Sequence, residues 1–98
     1  MSAPIYKLFL VHLNDAWYQL ADDERNRLLQ QVVAAREAAG GEVVAFCNSS
    51  WSSEHWTTFG VEKYPSIDAV QAFSARLAEL NWLRYVDSMT LLGTDIEM

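Results

Sequence analysis

Apolar positions follow two rhythms along the chain. Ile5–Leu13 (IYKLFLVHL) is nearly continuous in apolar residues and holds no breaker. A run of nine such residues, rich in β-branched and aromatic types, predicts a strand. Tyr6, Leu8, Leu10 and His12 line one face, and Ile5, Phe9, Val11 and Leu13 the other, with Lys7 the single charge. Both faces ask for cover, which marks a central strand.

Beyond it, Asn14 is placed to cap a short turn through Asp15–Leu20. A helix follows from about Ala21, its Asp22, Asp23 and Glu24 suiting the positive end of the helix dipole. Leu28, Leu29, Val32, Val33 and Ala35 recur at helical spacing until Gly40-Gly41 stops the run. Glu42–Asn48 reads as a second strand and Glu54–Tyr64 as a third. The short Ser49–Ser53 link makes them an antiparallel hairpin. Ser66 caps a second helix whose buried stripe is Val70, Phe73, Leu77 and Leu80. Asn81–Val86 returns the chain, and Ser88–Leu92 forms a fourth, shorter strand.

The order β-α-β-β-α-β predicts an α+β, ferredoxin-like fold over 1–98 as one domain: a four-stranded antiparallel sheet with two helices on one face. Two helices leave the other face bare, and the tail Thr94–Met98 is too short to cover it. A second copy packed face to face would, so the expectation is a homodimer.

Composition narrows the partners. The 98 residues are 51% hydrophobic and 20% charged, which is globular composition. Seven basic against thirteen acidic residues give a net charge of −6, which argues against nucleic acid and anionic membrane surfaces. The first strand is too short to span a bilayer, and no secretory leader precedes it. A lone Cys47 excludes an internal disulfide and fits a cytoplasmic location. No phosphate loop or nucleophile elbow occurs, and two histidines with one cysteine make a structural zinc site implausible, so neither metal nor cofactor is expected.

The candidate chemistry gathers around the hairpin: Cys47, Asn48, Trp51, His55, Trp56, Thr57 and Thr58. Alternation sets Cys47 with Val43 and Ala45, and Asn48 with Val44 and Phe46. It sets His55, Thr57 and Phe59 opposite Trp56, Thr58 and Gly60. A few polar groups among aromatic walls suit a small-molecule pocket, although the same residues also suit plain packing and turn formation. His12 ends the first strand where a neutral imidazole can act as a general base, or be solvated. His12, Asn48 and His55 are the catalytic candidates. Trp17, Cys47, Trp51, Trp56, Thr58, Trp82, Arg84 and Tyr85 are the candidates for holding a substrate. Arg84 can clamp a carboxylate or phenolate, or pair with an acidic residue of a partner chain. Trp17 and Trp82 serve either as aromatic lids or as anchors of the turns that carry them.

The element order and two-sided first strand resemble the dimeric α+β barrel superfamily. That superfamily includes antibiotic-biosynthesis monooxygenases, haem-degrading enzymes, polyketide cyclases and proteins of unknown role. Trp17-x-x-Leu20 with Glu24-Arg25, Tyr64-Pro65-Ser66 entering a helix, and Asn81-Trp82-Leu83-Arg84-Tyr85 resemble the darcynin-type proteins of unknown function within it. The resemblance implies a homodimer enclosing a small apolar or aromatic ligand, with cofactor-free oxygenation or cyclisation as the implied chemistry. It offers haem binding or haem degradation, or ligand binding without catalysis, as alternatives. Haem-degrading members carry an iron-ligating histidine on the second helix, and Ser66–Leu80 here has none.

Overall fold

In the computed structural model, which describes residues 3–98, strand β1 (Ile5–Leu13) lies inside the sheet. Short helix α1 (Asp15–Tyr18) follows, then α2 (Asp22–Ala38), β2 (Glu42–Asn48), β3 (Thr58–Tyr64), α3 (Ile67–Glu79), a 3-10 turn (Trp82–Arg84) and β4 (Val86–Gly93). The sheet order is β2-β3-β1-β4, with each neighbouring pair antiparallel. This is the ferredoxin-like arrangement expected from the sequence, with both long helices on one face.

The caps are local and chemical. Asn14 accepts from the Trp17 amide at 3.4 Å, and Ser66 accepts from the Ala69 amide at 3.2 Å. Gly40, at φ 82°, takes the left-handed turn that ends α2, as a glycine after a helix commonly does. The core forms where α2 and α3 meet the sheet: Ala35, Tyr64, Val70 and Phe73 are buried together, with Ile5, Val32 and Leu77 against them.

Three boundaries differ from the sequence expectation. The third strand begins at Thr58 rather than Glu54, because serines hold residues 49–57 as a loop. The Trp56 amide donates to Ser53 Oγ at 2.9 Å, and Ser49 Oγ donates to the Trp56 carbonyl at 2.7 Å. The hairpin is therefore real, but its link is 49–57 and not Ser49–Ser53. The fourth strand is longer than Ser88–Leu92, since β1 offers partners along the whole of Val86–Gly93. In β2 a bulge between Val43 and Ala45 offsets the alternation: Val43 faces Glu62 while Ala45 faces Val61. Val43 thus leaves the face that Ala45 and Cys47 share.

The register assigns the faces. Ile5, Lys7 and Phe9 face the helices with Tyr64, Glu62 and Gly60. Tyr6, Leu8, Leu10 and His12 lie on the open face, with Phe59 and Val61 of β3, Met89 and Leu91 of β4, and Cys47 of β2. On that face Met89 is 56% exposed and Leu91 66%.

Gly60 has a packing reason. Its missing side chain makes room for the Phe9 ring, which meets Phe46 edge to face at 6.2 Å. A β-carbon there would run into the Phe9 ring and sit 3.1 Å from the Ala45 carbonyl oxygen. Gly60→Ala is expected to cost about 1–3 kcal/mol by overpacking, measured by urea denaturation.

Candidate functional site

The site grows from the end of β1. His12 is its penultimate residue and lies opposite Asp87 of β4 on the open face. On its other side the Thr57 amide donates to the Val11 carbonyl at 3.2 Å, which ties the end of the 49–57 loop to β1. Ser49, itself buried, is the hub of that loop. Its amide donates to the Thr57 carbonyl, and its carbonyl accepts from the Ser52 and Ser53 amides.

This stapling folds His55 onto His12. The two imidazoles stack with centroids 5.0 Å apart and planes 21° apart, and the Trp56 ring meets His55 edge to face at 4.4 Å. His12 Nδ1 is buried without a hydrogen-bond partner. A buried polar atom left unpaired costs about 1–3 kcal/mol, so it calls for a partner. One half-buried histidine with an orphan nitrogen, a second covering its ring and an indole beyond them thus sit at the rim of an uncovered apolar face.

The other sequence candidates separate from this cluster. Cys47 is on the open face in the row of Phe59, whereas Asn48 and Thr58 pair on the helix side. The Asn48 side chain is used locally, accepting from the Ser50 amide at 2.9 Å and from Ser50 Oγ at 2.7 Å. Trp51 stands at the loop tip, 84% exposed. Trp17 is buried and meets Trp82 edge to face at 6.0 Å, so this pair closes the helix layer over the end of β1. The Arg84 carbonyl accepts from Asn14 Nδ2 and the Tyr85 carbonyl from the Asn14 amide, leaving the Arg84 side chain exposed. No group of three or more metal-ligating side chains occurs among the described residues.

Sequence reading missed a second polar cluster, under the helices. Lys7 and Glu62 are cross-strand partners, both buried, and the Tyr64 hydroxyl donates to Glu62 Oε1 at 2.8 Å. The Lys7 ammonium lies 4.7 Å from the centroid of the Phe73 ring. Burial pulls the Lys7 pKa below its ordinary 10.5, with the Glu62 charge acting against that pull. Burial, and then the bond and charge of Glu62, push the Tyr64 hydroxyl well above its ordinary range. The signal was Lys7 as the lone charge in an apolar strand, but its partner becomes visible only with the β1–β3 register.

These elements define a ferredoxin-like α+β protein with one bare sheet face. No family model and no curated protein matches the chain. Among solved structures it is similar to chlorite dismutase from Candidatus Nitrospira defluvii. An arginine-to-alanine variant of that enzyme gives a TM-score of 0.77 at 14% identity, over 100% of this chain and 42% of that one. The same enzyme in complex with imidazole gives 0.73 at 16%, over 96% of this chain and 41% of that one. A hypothetical Arabidopsis thaliana protein solved in solution gives 0.65 at 13%, over 99% and 92%. The likeness establishes the fold. This chain spans about two fifths of the chlorite dismutase chains it matches. No helix among the described residues is long and apolar enough to cross a membrane.

Proposed function

We propose that the protein is a homodimeric binder of planar aromatic or polyketide-like small molecules. In this reading the open faces of two copies enclose the ligand as a dimeric α+β barrel. One observation carries the reading: the orphan Nδ1 of His12, shut in by the stacked His55 ring at the end of an uncovered apolar face. An eight-stranded enclosure is wide enough for side chains and one small ligand. Leu10, Phe59, Val61 and Leu91 supply apolar walls, and His12 supplies the polar group that orients the ligand. When His55 turns aside, His12 can take a proton from a phenol or an activated carbon acid, the first step shared by cofactor-free oxygenation and cyclisation. Without such a substrate the same geometry only binds. The darcynin-type resemblance belongs to this reading and adds no reaction to it.

2-Naphthol tests the site. Trp56 lies beside His55, so binding is expected to quench tryptophan fluorescence, and His12→Ala to weaken it about tenfold, or ~1.4 kcal/mol. Equal affinity in wild type and His12→Ala would place the pocket elsewhere.

A second reading, haem binding, draws on the likeness to chlorite dismutase structures and on the haem-degrading enzymes of the superfamily that the sequence resembles. His12 is then the candidate axial ligand, and the stacked His55 ring must leave the space a porphyrin would occupy. A Soret band that appears on adding haemin to wild type and is lost in His12→Ala supports it; no band removes it.

A further inference from the structure

His12 and Asp87 are cross-strand partners of β1 and β4, so both side chains rise from the same face. Such partners have β-carbons about 4.5–5.5 Å apart, within reach of an imidazole and a carboxylate. Asp87 is exposed and is the only charge in β4. The ion pairs among the described residues are Asp22–Arg25 and Arg76–Glu79, so the Asp87 carboxylate is unpaired. The hydroxyls of the loop beside His12 are spent on backbone. Thr57 Oγ1 donates to the Val11 carbonyl at 3.4 Å, Ser49 Oγ to the Trp56 carbonyl at 2.7 Å and Ser52 Oγ to the Ser49 carbonyl at 3.1 Å. The loop's one carboxylate, Glu54, is exposed and precedes His55. Asp87 is therefore the free polar side chain that the sheet register pairs with His12.

An ionised carboxylate only accepts hydrogen bonds, and a neutral imidazole has one N–H and one bare nitrogen. A proton on His12 Nδ1 would strand a buried N–H and turn the Nε2 lone pair toward the Asp87 oxygens. A proton on Nε2 can instead be donated to Asp87 in a charge-assisted bond, the stronger kind. Nδ1 is then a bare acceptor. We infer that Asp87 is a positioning residue that holds the His12 proton on Nε2, so that Nδ1 accepts a ligand hydroxyl and the site takes neutral phenols and enols in preference to carboxylates. This role rests on the pocket reading and narrows its ligand to one chemical class. Once His55 turns aside, an aromatic hydroxyl meets Nδ1 as a donor. A carboxylate meets a lone pair there, with the Asp87 charge beyond it, and its own desolvated charge stays unpaired.

Proton–nitrogen NMR correlations of the imidazoles in the full chain test the tautomer. The chain has two histidines, so His12→Ala leaves the His55 pattern alone and assigns the other. At a pH of about 8, where an ordinary histidine is mostly neutral, His12 is expected to carry its proton on Nε2. Asp87→Ala, at an exposed position outside the core, is expected to blend the two tautomers, and Glu54→Ala to keep the wild-type pattern. Binding of 2-naphthol and 2-naphthoate gives the second readout. Wild type is expected to favour 2-naphthol by about tenfold, and Asp87→Ala to cut that preference severalfold. A proton on Nδ1 in wild type, or a pattern untouched by Asp87→Ala, overturns the role of Asp87, and 2-naphthol binding that still needs His12 then leaves the pocket standing. Equal or tighter binding of 2-naphthoate by wild type overturns the selection. No binding of 2-naphthol, or the same affinity in wild type and His12→Ala, overturns the pocket and this role with it.

Discussion

Glu62→Gln is expected to destabilise the protein by about 1–3 kcal/mol at neutral pH, because it removes the carboxylate charge that acts on the buried Lys7 ammonium across the β1–β3 pair. Glutamine keeps an acceptor for the Tyr64 hydroxyl, so the loss falls on Lys7. Its ammonium is then buried over Phe73 without an opposing charge. The pH dependence has a definite sign. The folded Lys7 pKa lies below the 10.5 of the unfolded chain, so between the two values the unfolded state binds more protons and stability rises with pH. The deficit of Glu62→Gln should therefore shrink as the pH climbs from neutral toward about 10. Above the ordinary tyrosine value of 10.0 the opposite trend enters. The folded state holds Tyr64 neutral there while the unfolded chain ionises it, so stability falls. Adding Lys7→Met removes the stranded cation and should recover most of the loss, since apolar replacements of buried pairs are often neutral or stabilising. Urea titrations across pH 7 to about 10 measure this, and a deficit constant over that window would show that Lys7 does not carry the loss.

Phe73→Ala is expected to cost more, about 3–5 kcal/mol, which is a large share of a small domain's total stability. Phe73 is buried, stacks on the fully buried Tyr64 ring at 5.8 Å and carries the Lys7 ammonium on its other contact. Truncation opens a cavity between α3 and β3 and removes an attraction worth about 0.5–2 kcal/mol to a desolvated cation. Phe73→Leu keeps most of the volume and should lose well under half as much. Thermal unfolding of the three proteins ranks them, and a Phe73→Ala midpoint within a few degrees of wild type would show that α3 is not held by this contact.

The period-2 and period-3.6 rhythms made the element order legible, because β1, α2 and α3 carry their signals within single segments. The two-faced apolar β1 also showed that one sheet face lacks cover. What stayed hidden depended on side chains acting across segments. The strand-like composition of Glu54–Thr57 was overridden by Ser49 and Ser53, whose hydroxyls bind the Trp56 backbone and fold His55 onto His12. Alternation placed Val43 with Cys47, and a bulge with no glycine to announce it separated them. His12, His55 and Trp56 were named from the sequence and the fold brings them together. Asn48 and Trp51 were named with them, but the first is spent on its own turn and the second stands in solvent. Lys7 and Glu62 lie 55 residues apart in the chain (62 − 7) and meet only through the β1–β3 register.

In the proposed dimer the open face, from Leu8 and Leu10 to Met89 and Leu91, is an interior surface shared by two copies. Sedimentation equilibrium at micromolar concentration, on wild type and on Leu8→Asp, tests it most directly. Leu8 lies on that face and outside the helix-covered core, so the substitution leaves the far-UV circular dichroism of the fold in place. The expected result is twice the 11.1 kDa chain mass for wild type and the single-chain mass for Leu8→Asp. A wild-type particle at the single-chain mass would show that the open face is not shared between two copies.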